Sequence, residues 1–271
     1  MTPSSSTKTA AYTWDRWEPL FGVLVQTSEG WVLFDTGMAR GALDAEETQE
    51  SYRAAAVGAG ADADSPTWAM HPAPPDPTRW NWGLVGDPLS AGLATVGLVV
   101  SNLSLAVISH LHLDHSGGIP LLAEAGVPVA LQRAELDFAH SGRAGFAEGF
   151  RDQDWSDPRT RWQLVDGDAE VAPGVSVLAT PGHTPGHSSL RVELPETGTW
   201  IFAADAADLG QNLLDRVPCG YCAGGTPKDE AAAARSLERL LSEAAEADAR
   251  LVPGHDQLML NAVRHPRSGH R

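Results

Sequence analysis

Cysteine is scarce: Cys219 and Cys222 are the two in a chain of 271 residues, too few and too close together for the disulfide framework of a small secreted protein. Basic charge is also short. Lys and Arg total 19 against 35 Asp and Glu, a formal net charge of −16, so a phosphate backbone or an anionic membrane surface would be repelled over most of the molecule. No apolar run reaches the length of about eighteen residues that a spanning helix needs. The first residues, Met1 to Thr13, are rich in Ser, Thr and Ala and carry no signal-like apolar stretch. These absences argue against nucleic acid and membrane as partners. They leave the expectation of a cytoplasmic protein acting on a small molecule, with monomer and homodimer both open.

What is present is an ordinary globular composition, 42% apolar, with 27 Gly and 19 Pro marking many loops. A hairpin is expected where Gly22 to Thr27 and Trp31 to Asp35 flank Ser28-Glu29-Gly30. Further along, short apolar runs at Leu105 to Ile108 and Val127 to Leu131 alternate with helical stretches near Asp87 to Leu98 and Ala134 to Ala139, an α/β pattern. Gly174 to Ala179, Ser188 to Leu194 and Thr199 to Ala203 read as later strands. Thr226-Pro227-Lys228-Asp229 caps a helix to about Asp248 with Leu237, Leu240, Leu241 and Ala244 on one face, and Arg250 to Val252 is a last strand. One domain over 1–271 is the economical division, with a surface insertion at about 39–90 and a short N-terminal tail.

The chemistry concentrates at His110-Leu111-His112-Leu113-Asp114-His115, directly after an apolar strand. Residues two apart on an extended segment point the same way, so His110 and His112 can hold one metal ion while Asp114 and His115, where the chain turns, reach a second. Leu111 and Leu113 then pack away from the ions. Imidazole and carboxylate donors without thiolate suit zinc first, with Fe, Mn and Co open. The bland alternative, four polar residues on an exposed loop, gives no reason for so many ionisable groups at the end of a buried strand. His183 in Thr180-Pro181-Gly182-His183, Asp205 and His255 each follow a strand-like run as well. Singly they could be a turn histidine, a helix cap and a tail residue; together they provide N and O donors enough for two ions.

In these segments the chain resembles the metallo-β-lactamase superfamily, and in the hairpin ending Leu33 to Met38, the string from Thr180 to Leu190 and Gly254-His255-Asp256 it is most similar to N-acyl homoserine lactonases. The resemblance implies an αββα sandwich, two packed β-sheets flanked by helices. It implies one metal on His110, His112 and His183, a second on Asp114, His115 and His255, and Asp205 bridging both. Asp35 would orient a ligand, while His187 and Asp256 would be structural. The activity implied is that of a dinuclear metallohydrolase whose metal-bridging hydroxide opens a lactone or related ester, with Asp114 also passing a proton to the leaving group.

Hydrolysis of a thioester or a β-lactam is the alternative, and a non-catalytic metal-bound ligand sensor is an alternative of another class. Related lactonases place a substrate-holding tyrosine where this chain has Asp208, so Tyr221 or another donor would substitute. Trp80 and Trp82, with Trp68 and Met70, line an apolar substrate channel or else fasten the insertion to the core. Cys219 and Cys222 make half a zinc site and read as incidental thiols on a solvent-side loop, with a local disulfide or redox switch as the lesser option.

Overall fold

The structure, a computed structural model, describes residues 19–43, 86–219, 222–256, 258–259, 265–266 and 268–271. The expected hairpin forms from β1 (Val23–Thr27) and β2 (Gly30–Phe34). β2 then pairs in parallel with β3 (Leu103–Val107), β3 with β4 (Pro128–Gln132), and β4 with β5 (Arg161–Val165), giving a sheet of order β1-β2-β3-β4-β5. Parallel neighbours require crossover connections. Among the described residues these carry α1 (Arg40–Leu43), α2 (Pro88–Ala94), α3 (Leu113–Ser116), α4 (Ile119–Ala125), α5 (Arg133–His140) and α6 (Asp152–Trp155).

The second sheet is a meander of β6 (Ala169–Ala172), β7 (Val175–Ala179), β8 (Ser188–Leu194) and β9 (Gly198–Phe202). After α7 (Gly210–Asp215) and α8 (Pro227–Glu246), β10 (Arg250–Val252) joins it parallel to β9.

Side-chain alternation decides the layers. Val32, Phe34, Leu105 and Val107 face the second sheet and pack with Val175, Val177, Leu190 and Val192. Leu33, Ala106 and Ile108 face the other way and pack under α2 and α4, against Leu89, Ile119 and Leu122. Because both faces are covered, β3 is a continuous apolar run rather than an alternating one. On the far side α8 lays Leu237 and Leu240 on Leu178, Ile201 and Ala203. Each fully buried leucine contributes about 1.5–3 kcal/mol. Thr226 caps α8 by accepting from Asp229 N, and Asp229 Oδ2 accepts from Thr226 N in return. The result is the αββα sandwich.

Among the elements beyond the sequence expectations are the short helices α1, α3, α6 and α7 and the strands β5 and β6. β5 and β6 are half-exposed edge strands, too short and too interrupted by solvent-facing polar residues to show a continuous apolar run. The segment expected as an insertion lies outside the described residues, except for its two ends at 39–43 and 86–90. No helix among the described residues is long and apolar enough to cross a membrane.

Candidate metal centre

The topology brings five strand ends to one edge. β2 and β3 run parallel in the first sheet, and β7, β9 and β10 run parallel to one another in the second. Their C-terminal ends are followed by Asp35, by Ser109-His110, by Thr180 to His183, by Asp205 and by His255. Ser188 N donates to Ser109 O at 2.9 Å, holding the two sheets together at that edge.

His110 is fully buried, and its ring lies 4.5 Å from that of His112 and 4.8 Å from that of His183. His183 Nε2 is 3.0 Å from His112 Nδ1. Leu111 and Leu113 are buried, as the spacing required, and α3 carries Asp114 and His115 to the opposite side of the cluster. Two groups of possible ligand atoms result: His110, His112, His183 and Asp205 in one, Asp114, His115 and His255 in the other, with the atoms of each group within 4.8 Å of one another.

Asp205 belongs to both by distance. Its Oδ2 is 3.1 Å from His183 Nε2 and 3.8 Å from His110 Nε2, whereas its Oδ1 is 3.2 Å from His115 Nε2 and 3.1 Å from His255 Nε2. One carboxylate oxygen therefore faces each group.

The outward ring nitrogens explain why the inward ones are lone pairs. Asp35 Oδ2 accepts from His115 Nδ1 at 2.9 Å, and Pro19 O accepts from His255 Nδ1 at 3.1 Å. The Ser109 hydroxyl donates to Asp35 and so accepts from His110 Nδ1. His183 Nδ1 meets Cys219 Sγ at 3.2 Å. With Nδ1 carrying the proton, each of these rings presents a bare Nε2 to the centre. Buried His110 Nε2 and His115 Nε2 have no hydrogen-bond partner of their own, a cost that a coordinated cation removes. Five imidazoles and two carboxylates, none of them a thiolate, fit one or two divalent ions of the Zn, Fe, Mn or Co kind.

Electrostatics agrees with this fit. Burial lowers His110, and lowers His112 to about 3, with neighbouring histidines adding to the effect. Burial also opposes charge on His115, His183 and His255, yet Asp205 beside them wins and raises all three, His255 to about 10. Asp205 and Asp114 would be raised by burial, but the facing histidines, His115 foremost, hold both below the usual carboxylate range. Protons and divalent cations compete for these same nitrogens.

His187 lies beside the cluster without joining it. Its Nδ1 meets Thr180 Oγ1 and O, its Nε2 accepts from Asp205 N at 3.1 Å, and burial lowers it to about 3. It anchors the backbone of Asp205. Asp256 accepts from Gly210 N, Leu258 N and Met259 N, which ties down the chain after His255. Asp208 O accepts from His255 N, and its carboxylate helps to raise His183.

The profile of the metallo-beta-lactamase superfamily matches residues 17–255. The chain belongs to that superfamily. It is 32% identical over 200 residues to an N-acyl homoserine lactonase of Bacillus cereus, covering 74% of this chain and 68% of the relative. An N-acyl homoserine lactonase of Rhizobium radiobacter is 30% identical over 170 residues, covering 60% of this chain and 62% of that one. A solved N-acyl homoserine lactone hydrolase, with the product N-hexanoyl-L-homoserine at its catalytic metal center, superposes with a TM-score of 0.70 at 27% identity, covering 97% of this chain and 92% of that chain. The Bacillus thuringiensis lactonase AiiA with N-decanoyl-L-homoserine bound gives 0.69 at 28% identity over 91% of this chain and 85% of that one. This member of the superfamily is an enzyme, a metal-dependent hydrolase of the lactonase-like kind.

One sequence expectation is corrected in this metallohydrolase. Cys219 is no incidental thiol on a solvent-side loop: it is buried, 4% exposed, with its sulfur against His183, because the loop leading to α8 folds over the His183 turn. Both cysteines are free thiols rather than a disulfide, and burial pushes the Cys222 thiol up to about 11. Trp68, Met70, Trp80, Trp82 and Tyr221 lie outside the described residues. Ser109 and Glu135 are the supporting residues that sequence reasoning missed. Ser109 is a small residue between an apolar strand and the first histidine, and Glu135 is one acid among several on a helix, so only their partners reveal them.

Proposed function

We propose that this chain hydrolyses the ring ester of a lactone, of the N-acyl homoserine lactone type or close to it, at a dinuclear centre. His110, His112 and His183 would hold one ion, Asp114, His115 and His255 the other, and Asp205 would span both. The observation that carries the reading is the division of labour within Asp205, whose two oxygens face the two histidine groups at 3.1–3.2 Å. Two divalent ions so held, zinc being the first to test, would supply a water acidified toward a pKa of about 7 and an electrophile for the ester carbonyl.

The chain's own groups do the rest. Asp35, Ser109, Pro19 and Cys219 fix the ring orientations through the outward nitrogens. Asp114 is the acid best placed to meet substrate: its side chain is 18% exposed against 8% for Asp205 and 5% for Asp35. Its carboxylate would take a proton from the attacking water and return it to the ring oxygen that leaves as an alcohol, so the product is the open hydroxy acid with no net proton transfer to the enzyme. Asp208, which raises His183 from close by, stands where related lactonases carry a tyrosine. A carboxylate there disfavours an anionic intermediate and keeps a thioester or β-lactam in view as the second reading.

Zinc-loaded protein, assayed against N-acyl homoserine lactones, simple lactones, thioesters and β-lactams with metal content measured in parallel, tests this. The expected result is about two ions per chain and the highest kcat/KM on a lactone. Faster turnover of a thioester or β-lactam replaces the lactone reading with the second. Full metal loading without turnover of any of the panel supports the ligand sensor instead.

A further inference from the structure

The cluster draws its residues from loops of two different sheets, and these loops must stay in register. His110 and His112 belong to the loop after β3 in one sheet, and His183 to the loop after β7 in the other. The bond from Ser188 N to Ser109 O joins the two sheets at the base of these loops, but a shift of one loop past the other by a fraction of an ångström beyond it would still spoil a three-ligand site. Outside the candidate ligands, the Glu135 side chain hydrogen-bonds to both loops.

Glu135 sits in the first turn of α5 and is fully buried. Its Oε1 accepts from Leu111 N at 2.9 Å, the peptide between His110 and His112. Its Oε2 accepts from Thr184 Oγ1 at 2.7 Å and from Gly186 N at 3.0 Å, just beyond His183. An acid in the first turn of a helix ordinarily serves the helix's own N-terminus. Here the hydrogen bonds of the carboxylate run to the two loops, and Gln132 at the cap makes no side-chain capping bond.

The fit is close. A Cβ on Gly186 would lie 2.1 Å from Glu135 N, so the His183 loop can press onto α5 only because residue 186 lacks a side chain.

We infer that Glu135 is a positioning residue that couples the two metal-binding loops, holding His183 against His110 and His112 through one carboxylate oxygen on each loop. The inference rests on the metal reading proposed above. Burial raises the Glu135 carboxyl and the three donors oppose that rise; since all of its partners donate, only the ionised form satisfies them. A glutamine in its place can accept from one loop, but its NH2 end would face a second set of donors.

Glu135→Gln and Thr184→Val are the variants, studied as full-length metal-loaded protein beside the parent and His183→Ala. Zinc affinities come from competition with a chromophoric chelator, and the absorption spectrum of the cobalt-loaded form reports ligand geometry. Support for the inference is a selective loss in Glu135→Gln. One of the two affinities falls about 10- to 100-fold, the same one abolished by His183→Ala, the other stays within about twofold, and the cobalt spectrum changes. Thr184→Val, which removes one donor and keeps the shape, should weaken the same affinity by a smaller factor, and it decides the matter should Glu135→Gln fail to fold. A lower melting temperature with both affinities and the cobalt spectrum unchanged would overturn the inference and leave Glu135 a purely structural acid. If instead the parent binds no ion, or His183→Ala keeps both, the metal reading itself falls and this inference with it.

Discussion

Asp35 Oδ2 lies 2.9 Å from His115 Nδ1, and the same carboxylate accepts from Ser109 N at 2.7 Å and Ser109 Oγ at 2.8 Å. One buried group thus sets the ring of His115 and, through Ser109, that of His110, one histidine from each ligand group. Asp35 reaches this position in the left-handed backbone region, at φ 56°, which Asp tolerates better than most residues. Asp35→Asn places an amide against these donors. It should lower the metal affinity by about 10- to 100-fold and reduce kcat more than it changes KM. Chelator competition and steady-state kinetics check both.

Metal removal should cost stability as well as activity. A ligand that binds only the folded chain at 100 to 1,000 times its dissociation constant adds about 3–4 kcal/mol per site. Titration of stripped protein with zinc, followed by calorimetry, should raise the melting temperature in a concentration-dependent way. His255→Ala and His183→Ala should each retain part of that rise. An unchanged melting temperature up to saturating zinc would count against the centre.

Gly182 precedes His183 at φ 143°, and a Cβ there would fall 2.2 Å from Ala233 N on α8. Gly182→Ala should therefore destabilise the fold by about 3 kcal/mol or more and displace His183, since neither the backbone nor the helix can yield cheaply. Gly225, at φ 65° with nothing within 4 Å of an added Cβ, is the control: alanine there should cost about 1 kcal/mol. Denaturant unfolding of both variants measures the difference.

Asp154 is 1% exposed, pairs with Arg151 at 2.5 Å, and is raised to about 6, burial outweighing the guanidinium. Its folded value lies above its unfolded one, so the folded chain binds this proton more tightly. The associated stability is complete below pH about 4 and is lost as pH rises to about 6, on the order of 3 kcal/mol. Relative to the parent, Asp154→Asn should lack that decline; melting temperatures of the two proteins between pH 4 and 7 would show it, and parallel curves would refute it.

The strands of the inner layers were readable because burial on both faces makes them continuous apolar runs, as Leu105 to Ile108 illustrates, and α8 because Thr226, Pro227 and Asp229 announce its start. Edge strands β5 and β6 were not legible, because Arg161, Gln163 and Glu170 interrupt their apolar residues and leave no continuous apolar run. The candidate ligands, which the fold brings into two groups, were legible from residue types at strand ends. Their supporting contacts were not. Cys219 against His183, Ser109 beneath His110 and Glu135 across the two loops are pairs separated by as many as 51 positions, and no local pattern distinguishes a serine or glutamate that bridges from one that is merely solvated.

By itself the order of residues determined which side chains could bind a cation and where most strands and the capped helix run. Only the tertiary structure decided that β3, β7, β9 and β10 end at a common edge, so that one carboxylate of Asp205 faces two groups of histidines. The reason is the range of the forces concerned: helix and strand formation respond to neighbours a few positions away, whereas the meeting of His110 with His183 and His255 depends on two sheets burying their apolar faces against each other.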